Sequence, residues 1–237
     1  ASSTDRNQNT TTYGYDDFLL TEISDPTGST PLRNEYDSQG RLVAYVDEGG
    51  NRTEIDTNLG NNTTQVTDKM GNVTSMAYNE QGLVTDITTS GATRSATYDD
   101  RGNKLTDTDP LGNTTTYTYN DKDLLTSQSD ALGHTSSWTY NDMGKILTQT
   151  GPRGGVTEKT YDAQGNLLTV TDPLNNVTTH TYDARGNRLT TTDPKGKTTH
   201  FAYDTHGNRI QKTDALGHVT TYTYDANGNR VTESIQR

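Results

Sequence analysis

The chain alternates short runs rich in Thr, Val, Leu and Tyr with polar corners that contain glycine; Thr114–Tyr119 and Arg188–Thr192 are typical runs. Within a run, bulky positions alternate with small polar ones, which is the period of a strand. Two kinds of corner recur. One follows a tyrosine, as at residues 162–166 (Asp-Ala-Gln-Gly-Asn), 183–187 and 225–229. The other comes half a repeat later, as at residues 109–113 (Asp-Pro-Leu-Gly-Asn), 193–196 and 214–218. Both read Asp-x-x-Gly. Asp at the first position bonds the backbone two residues on, Pro presets φ at the second, and Gly takes the positive φ that closes the loop as a bulge. Where glycine is missing, Asn61 and Asp123 stand in, residue types that tolerate positive φ. Strands joined by corners this short must be antiparallel neighbours. The expected fold is all-β, built of tandem antiparallel β-hairpins, with no helix.

The tyrosines set the period. Tyr98, Tyr119, Tyr140, Tyr161, Tyr182, Tyr203 and Tyr224 lie 21 residues apart. Tyr15 to Tyr36 is also 21, and Tyr36 to Tyr78 is 42, with Thr57 and Asn58 at the skipped position. Tyr78 to Tyr98 is 20, a single deletion. Gly102, Gly144, Gly165, Gly186, Gly207 and Gly228 close the tyrosine corners. Residues 13–237 therefore read as one array of about ten repeats behind a flank at residues 1–12.

Alternation puts each tyrosine on one face with the residue two before it. That column holds Tyr13, Ile55, Met76, Tyr117, Trp138, His180, Phe201 and Tyr222, with Ala96 and Lys159 as exceptions. A second column, seven after the tyrosine, holds Val43, Leu105, Leu147, Leu168, Leu189, Ile210 and Val231. Parity sets a problem. Two bulged corners of this kind cannot coexist with a 21-residue period without turning the faces over every repeat. One register slip per repeat is expected, beside the tyrosine corner. A single face of Tyr and Leu also needs cover, so the expected form is a long ribbon curled into a spiral. Its open edges favour self-association.

Composition adjusts this picture. Only 27% of the chain is hydrophobic, low enough for disorder to be considered. The 14 tyrosines, the abundant threonine and the regular glycines argue for strands instead. The net charge of -11 speaks against nucleic acid, which needs clustered cations. There is no cysteine, which excludes disulfides and thiolate metal sites. No apolar run reaches the roughly 18 residues of a membrane helix, and residues 1–12 show no signal peptide.

Residues 161–169 (Tyr-Asp-Ala-Gln-Gly-Asn-Leu-Leu-Thr), followed by Asp172 and Pro173, resemble the YD repeat of bacterial Rhs proteins. The likeness runs from Tyr13 to Ile235 and is weakest before residue 97. It implies a non-enzymatic segment of a β-sheet shell, secreted or on a bacterial surface. Such shells enclose or display a toxin domain, as in Rhs proteins and the B and C components of Tc toxins, while the related teneurins serve in adhesion. The implied partners are the rest of a parent shell and its toxin. Some family members cleave the toxin off through aspartates in an Asp-Pro-x-Gly context. Here Asp109 and Asp193 have that context inside ordinary repeats, so they read as turn residues.

The candidate chemistry is sparse. Asp99 with Asp100, and Asp107 with Asp109, are neighbours, but they recur with the repeat, whereas an active site is singular. His134, His180, His200, His206 and His218 are spread along the ribbon and do not converge as metal ligands must. Residues 225–229 lack the terminal Glu of a calcium loop. Asn9, Asn51, Asn72, Asn113 and Asn176 head glycosylation sequons, most of which arise from the repeat itself. No cofactor is implied. The alternative function is an adhesion module binding carbohydrate or a cell-surface protein through the aromatic column. Trp138 is then the leading ligand contact, with Tyr117 and Tyr222 beside it.

Overall fold

A computed structural model describes residues 1–236. Among them are 23 strands and no helix. The chain divides into two units, Ala1–Thr116 and Tyr117–Arg237. Within each, strands pair antiparallel with their neighbours in sequence, as a meander of hairpins. The first unit also contains a hairpin of Ser2–Thr4 with Thr10–Asp16.

The corners have one geometry. At the tyrosine corner of residues 162–166, Asp162 N–H donates to Asn166 O (3.0 Å) and Gly165 N–H to Asp162 O (3.1 Å). The second corner repeats it at residues 172–176, with Asp172 N–H on Asn176 O (3.0 Å). Here the third intervening residue is Asn175, at φ 62°. Where glycine is absent from the tyrosine corner, Asp123 takes φ 59°. In the skipped repeat the residue with positive φ is Asn62 (51°), not Asn61. The loop there starts at Asn58 and its pairing resumes at Thr63, which moves the left-handed position on by one. The deletion before Tyr98 is absorbed by a two-residue turn, Ser90 (φ 53°) and Gly91 (φ 81°), between paired Thr89 and Ala92.

The register slip lies where parity requires it. Tyr182 faces Arg188, yet the preceding Thr181 faces Thr190, so Leu189 is the extra residue of a bulge. The same shift follows Thr97, Thr139, Thr160, Ala202 and Thr223. An inserted residue on one strand restores each face to its own side.

The expectation of a curled, spiral ribbon is overturned. Within each unit the sheet is not strongly curled: a strand touches only its neighbours in sequence, and no layer covers another. Accordingly, Ala44, Val46 and Tyr222 alone are buried among the described residues. The physical reason is that part of the bulky face is covered from within its own plane, while residues such as Leu189 and Ile210 stay partly exposed. Arginines from adjacent strands lie over the Phe201 and Tyr222 rings. Ala44 sits between Glu35 and Glu54, and the Arg52 guanidinium bridges both carboxylates.

Candidate functional site

The repeat tyrosine closes the gap that the bulge opens. In the second unit, pairing of Leu125–Ser129 with Thr135–Tyr140 stops at Ser127 and Ser137. Beyond that point Tyr140 reaches across and donates its hydroxyl to Leu125 O (2.6 Å). Tyr161 does the same to Ile146 O (3.0 Å), Tyr203 to Arg188 O (3.0 Å) and Tyr224 to Arg209 O (2.9 Å). In the first unit Tyr36 bonds Leu20 O (2.8 Å) and Tyr98 bonds Val84 O (2.9 Å). Each phenol replaces a missing ladder bond. Burial pushes the Tyr140 and Tyr161 phenols up from their ordinary value, which keeps them protonated as donors.

Corner aspartates are consumed in their own turns. Asp162 Oδ1 accepts from the N–H of Gln164 (3.0 Å) and Asn166 (2.8 Å), while Oδ2 accepts from Asn166 Nδ2 (2.9 Å). Asp99 with Asn103, Asp109 with Asn113, and Asp183 with Asn187 show the same clamp. His134 and His218 stand in for the asparagine and place Nδ1 2.8 Å from Asp130 and Asp214. The side-chain bond from Asn or His is the main cause that holds these carboxyls below their ordinary value. The asparagine at the fifth position was missed in sequence. Its signal is the Gly-Asn pair that closes corners such as residues 102–103, 165–166, 186–187 and 228–229.

The two edges of the meander differ. On the tyrosine-corner edge, successive corners touch. Gln81 donates to Asp100 O (2.7 Å), Lys122 to Asp142 O (2.6 Å) and Arg185 to Thr205 O (2.6 Å). A methyl added to Gly102, Gly144 or Gly165 would meet the preceding repeat within 4 Å. At Gly71, Gly112, Gly133, Gly196 and Gly217, on the other edge, it would meet nothing. Leucines at those tips are bare: Leu111 is 88% exposed and Leu132 82%.

The faces also differ. Away from the tyrosines, threonine hydroxyls pair across strands, such as Thr139 with Thr148 (2.7 Å), Thr160 with Thr169 (2.6 Å) and Thr181 with Thr190 (2.7 Å). On the tyrosine face between Arg188 and Arg230, guanidiniums alternate with rings. Arg188 and Arg209 lie 5.1 and 5.7 Å from the Phe201 centroid, and Arg209 and Arg230 lie 4.9 and 5.6 Å from that of Tyr222. Tyr222 is only 7% exposed between its two arginines. Trp138 and Tyr117 are half-buried, and Trp138 faces Gln149. At Ala96 the ring is absent and a charged cluster stands nearby. Asp107 accepts from Arg94 (2.7 and 2.8 Å) and Lys104 (3.0 Å), and these cations, Arg94 first, hold its carboxyl down at about 2.

Of the neighbouring pairs raised above, Asp99 with Asp100 and Asp107 with Asp109, Asp99 and Asp109 are each clamped in their own corner, and Asp107 lies in the cation cluster. Among the described residues no three His, Asp or Glu side chains converge as metal ligands.

Two family models match the chain. The RHS Repeat model covers residues 161–199 and 203–235, and the Teneurin YD-shell model covers residues 54–158. No curated protein sequence matches it. Among solved structures, it is similar to the complex TcdB2-TccC3, at 15% identity and a TM-score of 0.56 over 99% of this chain. It is also similar to TcdB2-TccC3-Cdc42 and to a Tc holotoxin pore of Photorhabdus luminescens, each at 15% identity, TM-score 0.51 and 99% coverage. The chain spans 18% of the length of each of these structures.

Proposed function

Because this chain belongs to the Rhs/YD-repeat family, we propose that it is a non-enzymatic building segment of a β-sheet shell that encloses or displays a toxin or effector domain. The observation that carries this reading is that the repeat spends its own chemistry. Corner carboxylates are bound by Asn, His and backbone N–H, tyrosine hydroxyls by carbonyls, and threonine hydroxyls by one another. Groups committed in this way hold a wall together and are not free to attack a substrate. Residues 13–237 form one stretch of a longer strip, in keeping with the small share of the Tc structures that the chain spans. The repeat tyrosines and the glycines Gly102, Gly144, Gly165, Gly186, Gly207 and Gly228 are its structural residues, the parent works outside the cell or on its surface, and the open strand edges offer a route to self-association.

Limited proteolysis of the intact parent protein tests the reading. The effector domain stays uncut while the shell is whole. It becomes cleavable when several corner aspartates, Asp162, Asp183 and Asp204 among them, are changed to Ala. An effector equally digestible in both proteins sinks the shell reading. The adhesion reading rests on Trp138, part of whose indole stays open on the tyrosine face. Saturable glycan or protein binding lost in Trp138→Ala would favour it.

A further inference from the structure

We propose that the corner at residues 151–155 is a binding site for an external carboxylate. The other corners of this five-residue kind, among the described residues, open with Asp or Asn. The side-chain oxygen of that residue accepts the N–H of the fifth residue and, in nearly all, of the third. On either side in sequence, Asp130 holds Leu132 (2.9 Å) and His134 (2.9 Å), and Asp172 holds Leu174 (2.8 Å) and Asn176 (2.9 Å). The 151–155 corner keeps the same backbone. Gly151 N–H donates to Gly155 O (2.8 Å), Gly154 N–H donates to Gly151 O (2.9 Å), and Gly154 has φ 78°. Its opening residue is glycine, so the carboxylate is missing while the N–H groups of Arg153 and Gly155 that would clasp it remain.

Two further features suit an anion there. The Arg153 guanidinium is on the same corner, and charge-assisted bonds from arginine and backbone N–H are the strong kind. A cavity of about 410 Å³ adjoins the vacancy, lined by Gln149, Gly151, Pro152, Arg153, Gly155, Thr157 and Pro173, with Pro173 packed against Gly155. The two prolines supply an apolar wall. The ligand class is therefore a carboxylate on a short apolar body. It comes either as a free acid or as the acidic side chain of a polypeptide.

The test uses the whole chain labelled with nitrogen-15. Amide shifts of Arg153 and Gly155 are followed against sodium isovalerate, against blocked aspartate (acetyl-aspartate methylamide), and against sodium chloride at matched ionic strength. Saturable shifts at both amides with either carboxylate are expected, and the tighter probe assigns the source. Gly151→Asp supplies the carboxylate internally and abolishes the response. An added Cβ there meets its nearest atom, Gly155 O, at 3.8 Å, so this variant keeps the fold. Arg153→Gln weakens binding several-fold and leaves the backbone donors in place. No saturable shift with either carboxylate overturns the proposal. So does a response unchanged in Gly151→Asp, or one that chloride reproduces, which would mark an adventitious ion only.

Discussion

Tyr140 does two jobs with one side chain. Its ring fills the tyrosine face and its hydroxyl supplies the hydrogen bond that the ladder lacks at Leu125 O. Tyr140→Phe keeps the ring and removes the donor. A net loss of about 1 kcal/mol in unfolding free energy follows, the ordinary worth of one such bond, and chemical denaturation measures it. No loss would mean that water serves the carbonyl equally well. The role of the tyrosine was half visible in sequence. Periodicity and alternation place it beside the bulky column, and parity calls for a slip next to it. That its hydroxyl mends the break could not be read from Tyr140 alone, because its acceptor lies on another strand, 15 residues earlier.

Hairpins are held differently on their two faces, and the threonine face gives a clean test. Thr160 and Thr169 stand opposite each other and share a hydroxyl bond of 2.6 Å. Replacing one by Val removes the cross-strand hydroxyl bond and costs about 0.2–1 kcal/mol, the range of such a pair. Replacing both removes the polar pair, keeps the β-branched shape and is close to neutral. A double-mutant cycle reads the difference, and strictly additive losses would refute the pairing. Corners and strands were readable because Asp, Pro and Gly act through local backbone geometry. The spiral was a wrong expectation for the converse reason. It assumed that Phe201 and Tyr222 needed a second layer, whereas Arg188, Arg209 and Arg230 cover them, and their sequence positions alone do not reveal that reach.

For the molecule as a whole, the lowered aspartates fix the dependence on acidity. Their folded values lie below the ordinary 3.8, so the stability they contribute is fully present above that value and is lost as pH falls through the folded values. Thermal unfolding is therefore expected to change little above about pH 5 and to weaken progressively below 3.8. Asp107, held at about 2, is the last carboxylate to surrender its share, and Asp107→Asn removes that final part of the slope. A melting temperature that instead rises on acidification would contradict the assignment.

The unequal edges bear on how the chain tolerates change in length. Corners such as residues 193–197 have no neighbouring atoms near their glycines, whereas Arg185 is tied to the next corner at Thr205 O. A foreign peptide spliced between Lys195 and Gly196 should therefore leave melting almost untouched, and the same graft between Arg185 and Gly186 should lower it. One margin of this fabric would then serve as a hem open to new sequence, while the other is already stitched shut.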